Sequence, residues 1–380
     1  MMKLLLITSS FYPNRGGVEE VIYKIASNLK SHKISVLTST NKTSFNLGLN
    51  IGKEEMPGFS IYRIWMNVPS SLLGYIAFPI RFFTSILAIT KVIRSTKPEV
   101  VNYHFPDVSS AYVLLIMLFY KAYYITNIHG NDLQFYAKKP IYNFIIRLIL
   151  EKSQKIIINS TYMKNEFTIK YPQFTDKIII IPNGIDVLNL NTYKADKPIN
   201  EKYIMYVGRV VHKKGLDILL KAYNNLPYDD IKLVIEGNGD ALEGMVDIAK
   251  SLERSDDIIF TKGRLEQNEK LAYMKNALFG VIPSRIEPFG IVALEFMALG
   301  TPVISSKTGG LAELLKNNYT CLFFEVENID DLTGKMLEMI NNDKLRFDIA
   351  RNSLKESLRY DNKLMIKNYE NIYLKKNIST

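Results

Sequence analysis

The feature that most constrains this sequence is a regular alternation of short apolar runs with longer segments of helical periodicity. Runs such as Lys3–Thr8 and Tyr203–Val207 are apolar almost throughout, which is typical of strands buried on both faces of a sheet. With helical segments between them, such strands predict βαβ units and parallel sheets. The predicted strands are Lys3–Thr8, Lys33–Leu37, Ser60–Trp65, Val100–Tyr103, Tyr123–Ile128, Lys155–Ile158, Lys177–Ile181, Tyr203–Val207, Ile231–Ile235, Ile258–Phe260, Phe279–Ile282 and Pro302–Ile304.

The length of 380 residues allows two to three domains of ~150 residues each. Residues 183–198 are polar and irregular, and Pro182-Asn183-Gly184 signals a turn. We therefore predict an α/β protein with two doubly wound, Rossmann-like parallel-sheet domains, residues 1–186 and 187–360. The two domains would face a deep cleft, because ligands of such sheets bind beyond the carboxyl ends of the strands.

Cysteine and histidine usage argues against several kinds of site. Cys321 is the only cysteine, so the chain can form neither an internal disulfide nor a cysteine-based zinc site. The four histidines are scattered, which disfavours a metal cage. The apolar run Leu4–Ile7 is shorter than the ~7–15 residues of a signal-peptide core. These features favour a cytoplasmic protein.

The net charge of +10 is concentrated in the first half of the chain. Residues 1–186 contain 21 Lys and Arg against 11 Asp and Glu, whereas residues 187–380 contain 27 of each. This imbalance indicates an anionic partner such as a phosphorylated lipid, a membrane surface or a nucleic acid, or else a solvated basic surface. No nucleic-acid-binding motif accompanies the charge, so we expect no nucleic-acid partner.

The most lipid-like segment, residues 72–93, approaches the ~20 residues needed to span a bilayer. Pro79 and Arg81 near its middle make spanning costly. Five basic and no acidic residues lie between Met56 and Pro98, and this composition suits a surface that leans on a membrane without crossing it. An ordinary buried helix explains the segment equally well, and the sequence leaves both interpretations open.

Two carboxylates mark the segment with the strongest chemical signal, Pro283–Glu295. A helix is predicted to start near Pro288, with Glu287 just before it and Glu295 on its body. Free amides at the helix N-terminus favour an anion, and two carboxylates beside them could hold a polyol. Either glutamate could instead be a helix-end charge or a solvated surface residue.

A second signal is the basic loop after the strand Tyr203–Val207. Arg209, Lys213 and Lys214 concentrate positive charge there, which suits a diphosphate held by charge-assisted hydrogen bonds. One of the two lysines could equally be a solvated helix start.

Two further signals follow strands of the first domain. Gly16 and Gly17 come after the first strand and would let the backbone approach a ligand closely, although the G-x-G-x-x-G fingerprint of dinucleotide binding is missing. His129 ends the strand Tyr123–Ile128 on the side of the sheet where ligands bind, although a lone histidine is more often structural than catalytic.

Together, these segments resemble the retaining glycosyltransferases of family 4, which have the GT-B fold. The resemblance runs in order through Gly16-Gly17, His129-Gly130, Pro182–Asp186, Gly208-Arg209, Lys214-Gly215, Gly237–Gly239, the E-x7-E pair Glu287 and Glu295, Gly300–Ile304 and Gly309–Glu313. It therefore covers nearly the whole chain. It also implies that a final helix, about residues 361–380, crosses back onto the first domain.

The resemblance implies a role for each matching position. Glu287, with the amides of Phe289, Gly290 and Ile291, would hold the donor sugar and its phosphate, and Glu295 would bind the ribose. Arg209 and Lys214 (or Lys213) would hold the diphosphate and stabilise the leaving group. The remaining predicted contacts are Gly16 and Gly17 with the phosphates, His129 with the sugar near the reacting carbon, and Gly263 and Arg264 with the base.

These roles imply a cytoplasmic hexosyltransferase of glycan biosynthesis that uses a nucleotide-diphosphate sugar. Attack from the same face as the departing phosphate needs no enzyme nucleophile, and the basic residues replace a metal, so we expect no cofactor or metal. We expect a lipid-linked or membrane-associated glycan as acceptor, with the protein peripheral on the inner face of the membrane. The alternatives are a nucleotide-sugar epimerase on the same scaffold and a non-catalytic partner subunit.

Overall fold

The computed structural model describes residues 1–14, 16–40, 51–67, 72–261 and 265–375, with every side chain except those of residues 72–75 and 131. The chain divides into two compact units. The first unit combines Met1–Pro182 with Met365–Thr380, and the second unit is Asn183–Leu364.

The first unit contains an eight-stranded sheet within its described residues. Its strands are β1 (Lys3–Thr8), β2 (Lys33–Ser39), β3 (Gly52–Met56), β4 (Phe59–Ile64), β5 (Val100–His104), β6 (Tyr123–Ile128), β7 (Lys155–Ile158) and β8 (Ile178–Ile180). Its helices are α1 (Gly17–Asn28), α2 (Leu72–Thr96), α3 (Ser110–Phe119), α4 (Asn131–Gln134), α5 (Pro140–Lys152) and α6 (Thr161–Lys170). In the order β3-β4-β2-β1-β5-β6-β7-β8, every neighbouring pair is parallel except β3 with β4.

The second unit contains a six-stranded sheet within its described residues. Its strands are β9 (Lys202–Val207), β10 (Ile231–Glu236), β11 (Ile258–Phe260), β12 (Gly280–Ile282), β13 (Val303–Ser306) and β14 (Leu322–Phe324). Its helices are α7 (Val187–Asn191), α8 (Leu216–Asn224), α9 (Leu242–Lys250), α10 (Gln267–Asn276), α11 (Ile291–Leu299), α12 (Gly309–Leu314), α13 (Ile329–Asn341) and α14 (Asp343–Ser357). All pairs in the order β11-β10-β9-β12-β13-β14 are parallel, so the predicted class of two parallel-sheet α/β units is confirmed.

Two strands are absent from the sequence prediction. The antiparallel edge strand β3 carries Lys53, Glu54 and Glu55, all exposed, and no apolar run. A charged edge of this kind discourages pairing with a further strand, and its composition hides it from a search for apolar runs. The strand β14 has only three residues, and an apolar run of that length does not by itself distinguish a strand, although β11 of equal length was predicted.

Burial on both faces explains the continuous apolar runs. In β1, Leu4 and Leu6 lie in one core cluster with residues of α1, while Leu5 and Ile7 lie in another with residues of α2 and α3. Each such side chain stabilises the fold by about 1.5–3 kcal/mol relative to its exposed state. A polar substitution on either face would therefore be costly.

The last helix, α15 (Asn362–Leu374), packs on the first unit. The division between the units differs slightly from the predicted one, because residues 183–186 lie in the second unit. There, Ile185 forms a β-bridge with Asp361 and is buried in the core, and the Asp186 side chain caps α7. The chain re-enters the first unit at Met365 rather than near residue 361.

We expect Tyr373→Phe to lower the free energy of unfolding of the first unit by about 1–2 kcal/mol. The buried Tyr373 hydroxyl accepts a hydrogen bond from Asn102 Nδ2 at 2.7 Å, and its loss leaves that amide without its partner. Urea unfolding followed by tyrosine fluorescence measures the change. Tyr62→Phe, at a half-buried position on β4, is the control and should change little. Equal effects of the two substitutions would contradict a stabilising role for the buried bond.

Candidate active site

The candidate site of the second unit lies where β9 and β12 are neighbours although β10 and β11 come between them in sequence. At such a reversal of strand order, the connections after the two strands leave in opposite directions, and a ligand crevice opens at their carboxyl ends. The loop after β9 carries Arg209 and Lys214, and the loop after β12 carries Glu287. The fold thus brings together residues that are more than 70 positions apart in sequence.

The two loops are held together by their backbones. The carbonyl oxygen of Lys213 accepts hydrogen bonds from the amides of Arg285 and Ile286, at 2.9 and 3.3 Å. Gly215 has a φ of +67°, and a Cβ there would lie 2.0 Å from the carbonyl oxygen of Pro283. Only glycine permits this approach, and the approach determines where the lysine before it lies.

Arg285 adds a side-chain bridge between the loops. Its guanidinium donates two hydrogen bonds of 2.8 Å to the Asp217 carboxylate and one of 2.7 Å to the His212 carbonyl, and it also pairs with Glu327. The hydrogen bonds from Arg285 hold the pKa of Asp217 below its usual value. Arg285 belongs to the segment singled out in the sequence, but its spacing did not reveal this structural role.

Lys214 and Glu287 form an ion pair at the centre of these loops. Their side chains are only 20% and 13% exposed, so solvent screens the pair weakly. Ser284 Oγ lies 3.5 Å from the same carboxylate. Of the two adjacent lysines, Lys214 therefore contacts Glu287 through its ammonium group.

The helix after Glu287 begins later than predicted. It was expected to start near Pro288, but α11 starts at Ile291, because Gly290 has a φ of +104° and interrupts the helical backbone. The amides of Phe289 and Gly290 make no hydrogen bond within the described part of the chain, and the first-turn amide of Ile291 points out of the helix end. The Phe289 side chain is buried against the ring of Tyr360, so only its backbone is available to a ligand.

Glu295 lies on α11 and is bound by a residue that the sequence analysis missed. Lys270 Nζ donates to both carboxylate oxygens, at 2.9 and 3.0 Å, and both side chains are 15% exposed. Lys270 is on α10 and belongs to no motif, so only the packing of α10 against α11 reveals it. Glu295 is thus an oriented, charge-balanced carboxylate.

Of the remaining predicted residues of the second unit, the structure describes Arg209 but not Gly263 and Arg264. Arg209 is exposed, and its guanidinium has no partner among the described side chains, so it is available to an anion. Gly263 and Arg264, predicted to lie near the base of a nucleotide, are outside the described residues.

In the first unit, the predicted residues follow β1 and β6. Gly16 is the N-cap of α1 and Gly17 is its first residue, so the amides of this helix end are near the glycine pair. His129 follows β6, and the Asp132 carboxylate accepts hydrogen bonds from the amides of His129 and Gly130, each at 2.7 Å. Burial raises the pKa of Asp132 to about 6.

The ring of His129 lies against that of a second histidine, His104, at the end of β5. Its Nε2 is 3.3 Å from His104 Nδ1, and the two rings stack with centroids 5.5 Å apart. Burial lowers the pKa of His129 to about 4, so its imidazole is neutral near pH 7. His104 was not predicted, since a single histidine at the end of a strand carries no distinctive signal.

We expect Gly215→Ala to destabilise the second unit by about 2–4 kcal/mol, because the new Cβ meets Pro283 and alanine disfavours a positive φ. Gly244→Ala on α9 is the matched control, since nothing lies within 4 Å of its Cβ and alanine favours a helix. Chemical unfolding should show a loss for the first variant and no loss for the second. A Gly215→Ala protein of wild-type stability would contradict the close approach of the two loops.

Two family profiles match the chain in succession. The family described as Glycosyltransferase Family 4 matches residues 15–187, and the family described as Glycosyl transferases group 1 matches residues 191–356. Together, they leave out only residues 1–14, 188–190 and 357–380.

Several curated proteins are similar over most of their length. An uncharacterised glycosyltransferase of Methanocaldococcus jannaschii is 27% identical over 95% of this chain and 94% of its own. The N-acetyl-alpha-D-glucosaminyl L-malate synthase of Bacillus anthracis is 23% identical over 97% and 96%. The alpha-monoglucosyldiacylglycerol synthase of Streptococcus pneumoniae is 24% identical over 89% and 78%.

Solved structures show the same fold. The sucrose-phosphate synthase of Thermosynechococcus elongatus has a TM-score of 0.82 at 16% identity, with 100% of both chains covered. The Anabaena protein HepE in complex with UDP-glucose has a TM-score of 0.77 at 18% identity, over 98% of this chain and 99% of its own. Profiles, relatives and fold agree, and the chain belongs to the family 4, group 1 glycosyltransferases, enzymes of the GT-B fold.

Proposed function

We propose that this glycosyltransferase transfers a sugar from a nucleotide-diphosphate sugar with retention of configuration and without a metal. The Lys214–Glu287 ion pair at the strand reversal carries the proposal, because it sets a cation and a carboxylate beside the amides that precede α11. A sugar diphosphate needs both kinds of group, donors for its phosphates and acceptors for its hydroxyls. HepE, a structural neighbour, has been solved with UDP-glucose.

The positive charges support departure of a diphosphate without a metal. Breaking the sugar–phosphate bond leaves negative charge on the phosphate, and preorganised cations and amides stabilise it. Arg209 is exposed without a side-chain partner among the described residues, and Lys214 has three N–H donors of which Glu287 uses one. Both can therefore bind phosphate oxygens while the lysine keeps its contact with the glutamate.

The same ion pair supports attack from the face of the leaving group. A carboxylate that already accepts a hydrogen bond from an ammonium group is a weak nucleophile, and its remaining lone pairs suit sugar hydroxyls. Glu287 then orients the sugar, and the departing phosphate takes the proton of the acceptor. Glu295, fixed by Lys270, is oriented to accept hydrogen bonds from a ribose.

We expect Glu287→Gln to reduce turnover of the donor at least about 100-fold, while nucleotide diphosphates still stabilise the protein. A thermal-shift screen with UDP, GDP, ADP, CMP and dTDP, without metal, identifies the nucleotide. The sugar conjugates of that nucleotide then serve in the turnover assay with EDTA present. Glu243→Gln, at an exposed position on α9, is the control.

Near-normal turnover of Glu287→Gln would contradict the assigned role of Glu287. Loss of all turnover in EDTA, restored by Mg²⁺ or Mn²⁺, would contradict metal independence. A product of inverted configuration would contradict retention.

We further propose that the acceptor is lipid-linked and that the first unit docks on an anionic membrane at the cytoplasmic side. The helix α2 has 25 residues and is therefore about 37 Å long, whereas the strands beside it have five or six residues and are about 17–20 Å long. It ends at Thr96, next to the start of β5. Its first half therefore extends beyond the carboxyl edge of the sheet.

Burial along α2 agrees with this overhang. The buried apolar residues Ala88, Ile89, Val92 and Ile93 all lie in its second half. Ile76, Ile80, Phe83 and Leu87 are 45–71% exposed, and their spacing of four, three and four residues places them along one face of the helix. We call these four residues the apolar stripe.

A second exposed apolar group lies at the same edge of the sheet. Ile141 and Phe144 are 74% and 63% exposed on the first turns of α5, beside the exposed Lys138 and Lys139. Each Lys or Arg near an anionic bilayer contributes about 1 kcal/mol, and partly inserted aliphatic side chains add to this. Exposed apolar residues next to basic ones suit a phospholipid surface better than a soluble acceptor.

By length and composition, residues Ile76–Thr96 could cross a membrane. The packing of their second half against the sheet instead favours docking at the surface. The similarity to the alpha-monoglucosyldiacylglycerol synthase supports a lipid acceptor. The similarity to the N-acetyl-alpha-D-glucosaminyl L-malate synthase, at nearly the same identity, means that family membership alone does not decide the acceptor.

We expect the wild-type protein to bind phosphatidylglycerol vesicles at low salt, and the double variant Ile80→Ser/Phe83→Ser to bind at least about tenfold more weakly. Ile169→Ser is the matched control, since Ile169 is 80% exposed on α6, away from the stripe. Vesicle flotation measures binding, and the thermal shift with nucleotide checks that the donor site is intact. A wild-type protein that ignores these vesicles at low salt would contradict the membrane proposal and favour a soluble acceptor.

A further inference from the structure

The face of the first-unit sheet beneath α15 is polar at positions where apolar residues would be expected. Asn102, His104 and Asn127 are all buried there, on strands β5 and β6. His104 and Asn127 are paired in the strand register, and Asn102 lies two residues before His104 on the same face. Burying three polar side chains in a core costs stability unless they form hydrogen bonds.

Hydrogen bonds join these side chains to the last helix, as a network that runs from Tyr369 to His129 and as a separate pair between Tyr373 and Asn102. On α15, the hydroxyl of Tyr369 accepts from Asn127 Nδ2 at 2.6 Å, just as that of Tyr373 accepts from Asn102. Asn127 Nδ2 also lies 3.3 Å from His104 Nδ1, and His104 Nδ1 lies 3.3 Å from His129 Nε2. The Tyr369 ring stacks near that of His104, with centroids 6.4 Å apart.

The direction of these hydrogen bonds follows from their donors. The amide nitrogen of Asn127 can only donate, so His104 Nδ1 accepts and carries no proton. His129 Nε2, which also faces His104 Nδ1, must then donate, and the proton of a neutral His129 is on Nε2. The single lone pair of His104 Nδ1 is shared between these two donors, which agrees with the length of both contacts, 3.3 Å. Burial lowers the pKa of both imidazoles, so both are neutral near pH 7.

We propose that His104 is a positioning residue that fixes His129 as the Nε2–H tautomer, and that α15 holds His104 in place through Tyr369 and Asn127. The Nδ1 atom of His129 then keeps its lone pair for a hydrogen bond from a substrate hydroxyl. That last step rests on the proposed function, in which His129 meets the substrate. The tautomer itself does not depend on any ligand.

Two substitutions of His104 distinguish its proposed role as a hydrogen-bond acceptor for His129 from its role in packing. In His104→Asn, the side-chain oxygen can occupy nearly the position of Nδ1 and accept the same hydrogen bond. In His104→Leu, the volume is similar but no acceptor remains. His104→Leu removes the Nε2 atom that is buried without a partner among the described residues, but it also removes the acceptor of Asn127 and His129. The two effects oppose each other, so we expect His104→Leu to fold with a stability near that of the wild type.

The deciding experiment is a long-range ¹⁵N–¹H NMR spectrum of the histidine side chains in the free protein at pH 7. The chain has four histidines, and the spectrum of His129→Gln assigns the signals of His129. We expect the Nε2–H tautomer for His129 in the wild type and in His104→Asn, and a mixture of tautomers in His104→Leu. Tyr369→Phe should shift the His104 signals. An Nδ1–H tautomer in the wild type, or an unchanged tautomer in His104→Leu, would overturn the proposal.

Turnover gives a second, separate readout. With UDP-glucose as the probe, we expect kcat of His104→Leu to fall about tenfold with KM changed less than about twofold, and His104→Asn to recover most of the loss. If His129→Gln keeps full turnover, the substrate role of His129 is wrong, while the tautomer result still decides the role of His104. Equal kcat in His104→Leu and wild type would overturn positioning for catalysis.

Discussion

The candidate site of the second unit depends on one constraint, the reversal of strand order between β9 and β12. Because the connections after these strands leave in opposite directions, their first loop residues face a shared gap instead of packing under a helix. The backbone bonds from Arg285 and Ile286 to Lys213, and the contact that requires glycine at position 215, then fix the separation of the loops. The Lys214–Glu287 pair is a consequence of this backbone geometry.

Charge balance explains why the fold tolerates two mostly buried carboxylates in this site. Glu287 and Glu295 are both mostly buried, and an unpaired carboxylate at that depth would be costly. Each has one lysine as partner, and removing either partner would leave a charge with little solvent around it. Because a carboxylate has more lone pairs than one ammonium group uses, each pair keeps capacity for hydroxyl groups. The resting ion pairs are therefore compatible with binding and need not be broken.

The sequence predicted most of the buried strands, and it missed the exposed strand β3 and the short buried strand β14. Strands such as β1 and β6 begin and end at the predicted residues, because burial on both faces requires apolar residues throughout. The edge strand β3 has no such requirement and carries charges. The start of α11 was misplaced because proline marks a favourable first turn, whereas Gly290 has a positive φ and a Cβ there would lie 2.7 Å from Leu311, which only the tertiary structure reveals.

The residues of the two candidate sites also divide into those that the sequence revealed and those that it did not. Glu287, Lys214 and His129 were found because they lie in short motifs at strand ends. Lys270 and His104 were missed because each acts across a packing contact between elements that are separate in sequence. Propensity and periodicity describe single elements, so a partner supplied by another element has no local pattern to reveal it.

The polar face beneath α15, in the first unit, also places polar side chains where apolar ones would be expected. Three buried atoms on this face have no partner among the described residues: His104 Nε2 and the side-chain oxygens of Asn102 and Asn127. Apolar residues at these positions would remove those atoms, but they would leave the buried hydroxyls of Tyr369 and Tyr373 without their hydrogen bonds. The polarity runs along β5 and β6 toward the carboxyl edge and ends at His129. Since the network begins on the last helix, the orientation of His129 is completed only when α15 has docked. The helix thus links the folding of the chain's end to the geometry of the candidate site in the first unit.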